Sequence, residues 1–425
     1  MSLADTLTEF IHSAKPGDRA REVMRQSIYD WMACGIAGTK EPVALIMRAQ
    51  ALDEGGAPAA RLFGGEDVPA RAAALTNGTI SHALDYDDTH FDHIGHTSVA
   101  VCSAVMASAG NKSGEDIQDA ALIGSELAVR LGVWSGRAHY QIGFHQTATA
   151  GALGATAAVC RLNGLSEDQT KHAMGVAATK AAGLKSQFGT MGKPLNAGLA
   201  AECGVVSAGL ASRGFVSNPD AIDGPQGFGP THHGAEDTSA FDALGSDWTM
   251  ERVSHKLHAC CHGLHAMIEA LRSTEAVAGE VESVAITTHP RWMTVCNVTE
   301  PSTGLAAKFS YRQAAAMVLS DLNTADIQNF SAAMATDEYL SNLRQSVSVV
   351  ADDRVAETAS RVSVRFKDGR TVNAEHDLLT SIPLDRKWAL LRRKGQALVG
   401  EREEALYNAT ARQVDPGALL NLMPS

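Results

Sequence analysis

The sequence predicts a mainly α protein, a large all-helical domain interrupted by a smaller α+β lid domain. Three observations carry that expectation. The first 250 of the 425 residues place apolar side chains at helical spacing and show no credible alternating strand. Two β-rich stretches then lie between about residues 251 and 378, and helical patterning returns from Asp385. At roughly 100–200 residues per domain the length allows two or three domains. The expected division is 1–250 plus 379–425 for the helical domain and 251–378 for the lid.

The elements follow in order. Ser2 is placed to cap a helix whose Leu3, Leu7, Phe10 and Ile11 share one face. Val23, Met24, Ile28, Trp31, Met32 and Ile36 line a second. Further helices are predicted near 69–83, 98–110, 115–132, 146–162, 166–182 and 196–213. Several are small-residue on nearly every side, as in a buried central helix. With aromatics at 5% and 38 glycines, helix backbones can approach closely. Gly224–Gly234 reads as a mobile loop. Val281–Thr288 is β-branched and ends at His289-Pro290, a strand. Arg361–Phe366 and Thr371–His376 flank an Asp-Gly turn and read as a hairpin. Helices near 262–275, 309–321 and 336–344 complete the insert, whose boundary favours a ligand cleft.

Composition limits the function. Thirty-six basic against 48 acidic residues leave a net charge of −12, the wrong footprint for nucleic acid or an acidic membrane. A basic pocket for a small anion remains compatible with it. No secretion signal opens the chain, no stretch reads as a spanning helix, and seven cysteines read as reduced thiols, so a cytoplasmic protein is expected.

Three clusters could carry chemistry. Asn77–His96 gathers His82, Asp85, Asp87, Asp88, Thr89, His90, Asp92, His93 and His96. It reads as a solvated acidic loop, a zinc or iron site without standard ligand spacing, or acid/base machinery in which aspartate tunes histidine. Phe188–Gly198 is not a phosphate loop: Gln187 stands where the first glycine should and Pro194 follows Lys193. It reads either as a solvated turn or as a carboxylate-binding corner, Lys193 lying just ahead of a helix starting near Asn196. Lys256–His265 holds Cys260, Cys261, His258, His262 and His265. Zinc, a nucleophilic Cys261, hinge packing and anion binding all compete there. Tyr140 and His145 precede a small-residue helix, where His145 reads equally as a pocket or a core histidine.

In this order the clusters resemble the MmgE/PrpD family, whose N-G-x-x-x-H-x-L-D-x-D-D-T-H motif is matched almost letter for letter at Asn77–His90. Gly143–Thr147, Phe188–Gly198, Lys256–His265 and Lys308-Phe309-Ser310 match later motifs, so the likeness covers nearly the whole chain. It implies a homodimer with a metal-free, cofactor-free site for a small anionic polycarboxylate, and proton-transfer chemistry. Known members are 2-methylcitrate dehydratase, cis-aconitate decarboxylase and iminodisuccinate epimerase. By the same resemblance His96, Lys193, Lys256, Asp85 and His145 are the catalytic candidates. Thr89, His90, Tyr140, Cys261, His262 and Gln313 are the substrate-binding ones. Cys261 stands where the decarboxylase has a histidine, Gln313 where a tyrosine is usual, and Asn196 where a histidine follows Lys-Pro-Leu. A dehydratase is therefore the leading expectation, an epimerase the main alternative and cis-aconitate decarboxylation the least supported. A binding protein without catalysis is the reading from another class.

Overall fold

The computed structural model describes residues 2–423. It contains two compact units, Met1–His255 with Val399–Ser425, and Lys256–Leu398. The architecture is mainly α with one sizeable sheet, as predicted.

The first unit is built from nine principal helices. They are α1 (Leu3–Ser13), α2 (Asp18–Gly38), α3 (Pro42–Glu54), α4 (Ala70–His82), α5 (Ser98–Ser108), α6 (Gly114–Ile142), α7 (Gln146–Asn163), α8 (Glu167–Lys180) and α9 (Gly192–Ala211). Ser2, Ser113 and Ser166 open α1, α6 and α8 with reciprocal capping boxes, each satisfying amides that the first turn leaves unpaired. α7 is buried at every residue from Gln146 to Cys160, and α5 from Ser98 to Ala107. Their Ala, Gly, Ser and Thr side chains are what allow neighbours on all sides. Trp31 of α2 donates its indole N–H to both Ser81 and Ser103, at 3.0 Å each, locking α4 to α5 beside the polar cluster.

Two glycines set the approach of α4 to α9. A Cβ on Gly78 would lie 2.8 Å from the Gly198 Cα, and one on Gly198 would lie 2.2 Å from the Leu75 carbonyl oxygen. No larger residue fits either position, so the C-terminal half of α4 and the second turn of α9 come together. The irregular stretch after residue 237 is pinned by a buried pair, Glu126 and Arg130 at 2.6 Å. Glu126 accepts the Thr249 and Met250 amides, and Arg130 donates to the Ala240, Asp242 and Asp247 carbonyls. Gly224–Gly234, expected as a mobile loop, carries a short helix (Phe228–Thr231). Its His232 carbonyl accepts from His139 Nδ1 at 2.6 Å.

In the second unit four strands follow the order β4-β3-β5-β6 once the small ribbon of the first unit, β1 (Ala60–Arg61) and β2 (Asp67–Val68), is counted. β3 (Val281–Thr288) pairs parallel with β4 (Val347–Ala351) and antiparallel with β5 (Ala359–Phe366). β5 and β6 (Thr371–Asp377) form the predicted hairpin, with Gly369 at φ +88° in its turn. Tyr311 fastens the sheet to the helical layer: its hydroxyl donates to the Gly263 carbonyl and meets Thr288 Oγ1, each at 2.8 Å.

Three features differ from the sequence reading. The β1/β2 ribbon was not expected, because two residues per strand cannot display a period of two. β4 was missed beside the helix preceding it. Helix α9 starts at Gly192 rather than near Asn196, because Pro194 lies in the first turn, where a missing N–H costs nothing. No described helix is long and apolar enough to cross a membrane.

Candidate active site

The Asn77–His96 motif is part helix and part irregular loop. Asn77 staples α4 to the ribbon: its Oδ1 accepts from the Phe63 amide and its Nδ2 donates to the Arg61 carbonyl, both at 2.9 Å. His82 ends α4. Asp85 and Ile94 take positive φ, +50° and +56°, conformations that fold the loop back on itself. Asp88 Oδ1 accepts the Ser98 amide at 3.1 Å and the Thr97 amide at 3.4 Å, so this oxygen caps α5. The His96 amide donates to Thr147 Oγ1 at 2.9 Å, tying the loop to α7.

The result is a continuous line of titratable groups. His82 Nδ1 lies 2.9 Å from Asp87 Oδ1, Asp87 Oδ2 lies 2.9 Å from His96 Nδ1, and His96 Nε2 lies 3.0 Å from Asp85 Oδ1. Lys193, from the first turn of α9, completes it with Nζ 2.6 Å from Asp85 Oδ1. His82 and Asp87 are fully buried, His96 nearly so, and Asp85 is half-exposed.

Burial and charge set different states along this line. Burial disfavours charge on His82 and, with Lys193 and His96 nearby, outweighs Asp87, so its pKa falls to about 4. Burial also opposes charge on His96, but Asp87 and the hydrogen bonds to Asp85 and Asp87 overcome it and the pKa rises. Asp87 is held well below the carboxylate range: the two imidazoles outweigh its burial. At neutral pH His82 is a neutral ring and Asp87 is ionised, while His96 holds a proton more tightly than a free imidazole does.

His145 caps α7 and is 2% exposed. Burial and the Lys193 charge hold its pKa well below the ordinary value. Its ring stacks on His82 at 6.2 Å between centroids and meets Phe188 edge-on at 4.9 Å. Lys193 Nζ stands 5.6 Å from the Phe188 ring centroid. The structure thus brings Asp85, His96, His145 and Lys193 together. His82 and Asp87 join them, although no site role was assigned to either beforehand. The sequence signal was present in the motif, but irregular loops have no periodicity from which to read a contact.

The other expected residues of the first unit are placed as follows. Thr89 pairs through its backbone with Ser254, at 2.9 and 2.8 Å. His90 is buried, and its Nε2 donates to the Thr249 carbonyl at 3.0 Å. Tyr140 carries the Lys185 ammonium 3.6 Å from its ring centroid.

In the second unit Lys256 is buried at its first residue. The Cys261 amide donates to the Lys308 carbonyl at 2.9 Å, and its thiol is hydrogen-bonded to Cys296, which helps push the Cys296 pKa up. His262 is buried 4.7 Å from the His265 ring. Gln313 is buried with its amide engaged on both sides: Nε2 donates to the Met334 carbonyl at 3.1 Å and Oε1 accepts from Arg344.

A cation could be offered His82, Asp87 and His96, whose donor atoms lie within 4.8 Å of one another. Asp87 already pairs with His82 Nδ1 and lies 2.9 Å from His96 Nδ1, so an ion would compete with both imidazoles for this carboxylate.

The MmgE/PrpD N-terminal domain model matches residues 5–240 and the MmgE/PrpD C-terminal domain model residues 258–405. The chain belongs to the MmgE/PrpD family. Among curated proteins it is similar to a cis-aconitate decarboxylase-like protein, oryM, of Aspergillus oryzae, 30% identical over 296 residues, covering 63% of this chain and 61% of that protein. The cis-aconitate decarboxylase of Aspergillus terreus is 30% identical over 268 residues, 58% of this chain and 54% of that one. The Homo sapiens cis-aconitate decarboxylase is 30% identical over 240 residues, 54% and 50% respectively. This MmgE/PrpD chain thus spans half to three fifths of the length of the curated relatives it matches.

Proposed function

We propose that the chain is a cofactor-free lyase that acts on a small polycarboxylate by proton transfer from His96. The leading reaction is decarboxylation of an unsaturated tricarboxylate of the cis-aconitate class. The observation that carries this reading is the clamping of His96 between Asp85 and Asp87, at 3.0 and 2.9 Å, which favours its protonated, acidic form. Curated relatives named for cis-aconitate decarboxylation support it.

In this mechanism Lys193 turns from Asp85 to a substrate carboxylate, a charge-assisted contact. His96 Nε2 gives its proton to the alkene carbon, forming a C–H bond. The bond to the carboxylate β to the developing cationic carbon breaks, CO2 leaves, and the electron pair forms the new alkene. Asp87 keeps the remaining Nδ1 proton and the ring orientation, and half-exposed Asp85 faces the solvent that reprotonates Nε2.

A dehydratase acting on a hydroxylated polycarboxylate such as 2-methylcitrate is the second reading. It is favoured by Gln313 and Cys261, which stand where the resemblance expects the decarboxylase's tyrosine and histidine. The same acid would protonate the leaving hydroxyl. The test is proton NMR of the purified chain in D2O with cis-aconitate, 2-methylcitrate, citrate, malate and iminodisuccinate. A rearranged vinyl product with CO2 release supports decarboxylation, and an alkene formed from a hydroxylated parent supports dehydration. Deuterium at an α carbon without any alkene means an epimerase. No change in any of the five overturns the lyase reading. A cytoplasmic homodimer is the assembly we propose, to be read by light scattering and cell fractionation.

A further inference from the structure

The segment before α7 and the segment before α9 are laced together as a short antiparallel pair. His145 N donates to the Gly183 carbonyl at 3.0 Å and Lys185 N to the Gly143 carbonyl at 2.8 Å. Asn196, one turn into α9 and 6% exposed, reaches across both segments. Its Nδ2 lies 3.2 Å from the Leu184 carbonyl oxygen and 3.3 Å from His145 Nδ1. A carbonyl oxygen only accepts, so the atom facing Leu184 must be the amide nitrogen. Turning the amide over would set two oxygens against each other inside the protein. The same nitrogen therefore points its second hydrogen at His145 Nδ1, which must offer a lone pair. A neutral imidazole that accepts at Nδ1 carries its proton at Nε2.

We infer that Asn196 is a positioning residue that holds His145 as the Nε2–H tautomer, making His145 a hydrogen-bond donor to an anionic oxygen of the substrate rather than a base. The geometry around the ring agrees. His145 stacks beside His82 and against Phe188, and its Nε2 has no hydrogen-bond partner among the described residues. The charged and titratable groups acting on it are Lys193, His82, His96 and Asp85. With Lys193 it supplies a second N–H for a carboxylate oxygen, and the proton that moves in the reaction belongs to His96. The ligand class rests on the lyase reading above; the tautomer does not.

The experiment is NMR of the full chain labelled with 15N-histidine and free of substrate, with the His145 ring signals identified by their loss in His145→Gln. The expected result is a pyridine-like Nδ1 and a pyrrole-like Nε2 at neutral pH. A pyrrole-like Nδ1 overturns the inference, whatever reaction the protein catalyses. Asn196→Asp reverses the demand at Nδ1, because a carboxylate only accepts; its ring must show a protonated Nδ1. In kinetics the donor role predicts that Asn196→Asp raises KM by about 10- to 100-fold, the loss of one hydrogen bond to a charged group. Equal or faster turnover at unchanged KM would instead make His145 a base and overturn the donor role. Should His145→Gln fail to fold, the Asn196→Asp difference spectrum identifies the same signals. A correct tautomer without turnover of any polycarboxylate would sink the lyase reading and leave the positioning role of Asn196 intact.

Discussion

The carboxylate of Asp87 lies 2.9 Å from His96 Nδ1, and neither reaches bulk water to any useful extent. Removing that charge while keeping the shape is the most direct test of the acid. Asp87→Asn should lower the His96 pKa and leave less imidazolium at neutral pH. The expected cost is about 10²–10³ in kcat, with a smaller change in KM, within the range of general acid catalysis. The alkaline limb of the pH–rate profile should move to lower pH. A profile with an unmoved limb would show that His96 is not the proton donor.

Lys193 is assigned to binding, so its removal should fall mainly on KM. Lys193→Met should raise KM for the active polycarboxylate by about 10- to 100-fold, as expected for a hydrogen bond to a charged group. Lys193→Arg should recover part of that loss, since it restores charge but not the ammonium's geometry. If Lys193→Met kept KM and lost only kcat, the lysine would be acting on the reacting atoms.

Acid should weaken the first unit through its neutral histidines. Burial holds His82 at about 4 and His93 at about 3, against 6.5 for the free ring. The unfolded chain therefore binds protons that the native fold refuses. Their contribution is complete above pH 6.5 and is lost as pH falls towards 4 and 3, by about 1.4 kcal/mol per unit for each group. Asp87, depressed in the fold, adds its own loss below the ordinary aspartate value of 3.8. His96 has the opposite sign: its contribution is present below 6.5 and disappears as pH rises through its raised value. Denaturant midpoints at pH 7, 5.5 and 4.5, taken as roughly spanning this window, should fall steadily; a flat series would mean these rings are solvated.

The close approach of α4 and α9 has a steric test. Gly78→Ala should cost about 1–3 kcal/mol, the usual price of overpacking, because its Cβ meets the Gly198 Cα at 2.8 Å. Activity should fall at temperatures where the variant is still folded, since His82 and Lys193 sit on these two helices. Gly279→Ala, in an exposed turn with nothing within 4 Å, is the matched control and should lower neither melting nor activity. Equal melting temperatures for the two variants would show that α4 can shift freely.

Much of this was legible in the chain. The buried runs of α5 and α7 followed from small residues on every side, and the β5–β6 hairpin from Asp368-Gly369 between β-branched stretches. The Asn77–His96 cluster and Lys193 were visible as candidates. What stayed hidden has one cause, the absence of a repeating pattern. The ribbon strands are two residues long, β4 is defined by its parallel partner, and Asp87 gains its role only because a loop with two positive-φ residues turns it between two imidazoles.

By itself the sequence determined the fold class, the principal helices and the hairpin, the family likeness and which titratable residues were available, because these depend on residue type and spacing along the chain. The tertiary structure decided which way the affinity of each for a proton shifts. His82 and His96 are the same residue type in the same motif, yet burial neutralises one while two carboxylates favour the proton on the other. Desolvation and Coulomb interactions depend on distances through space, and no spacing along the chain contains them.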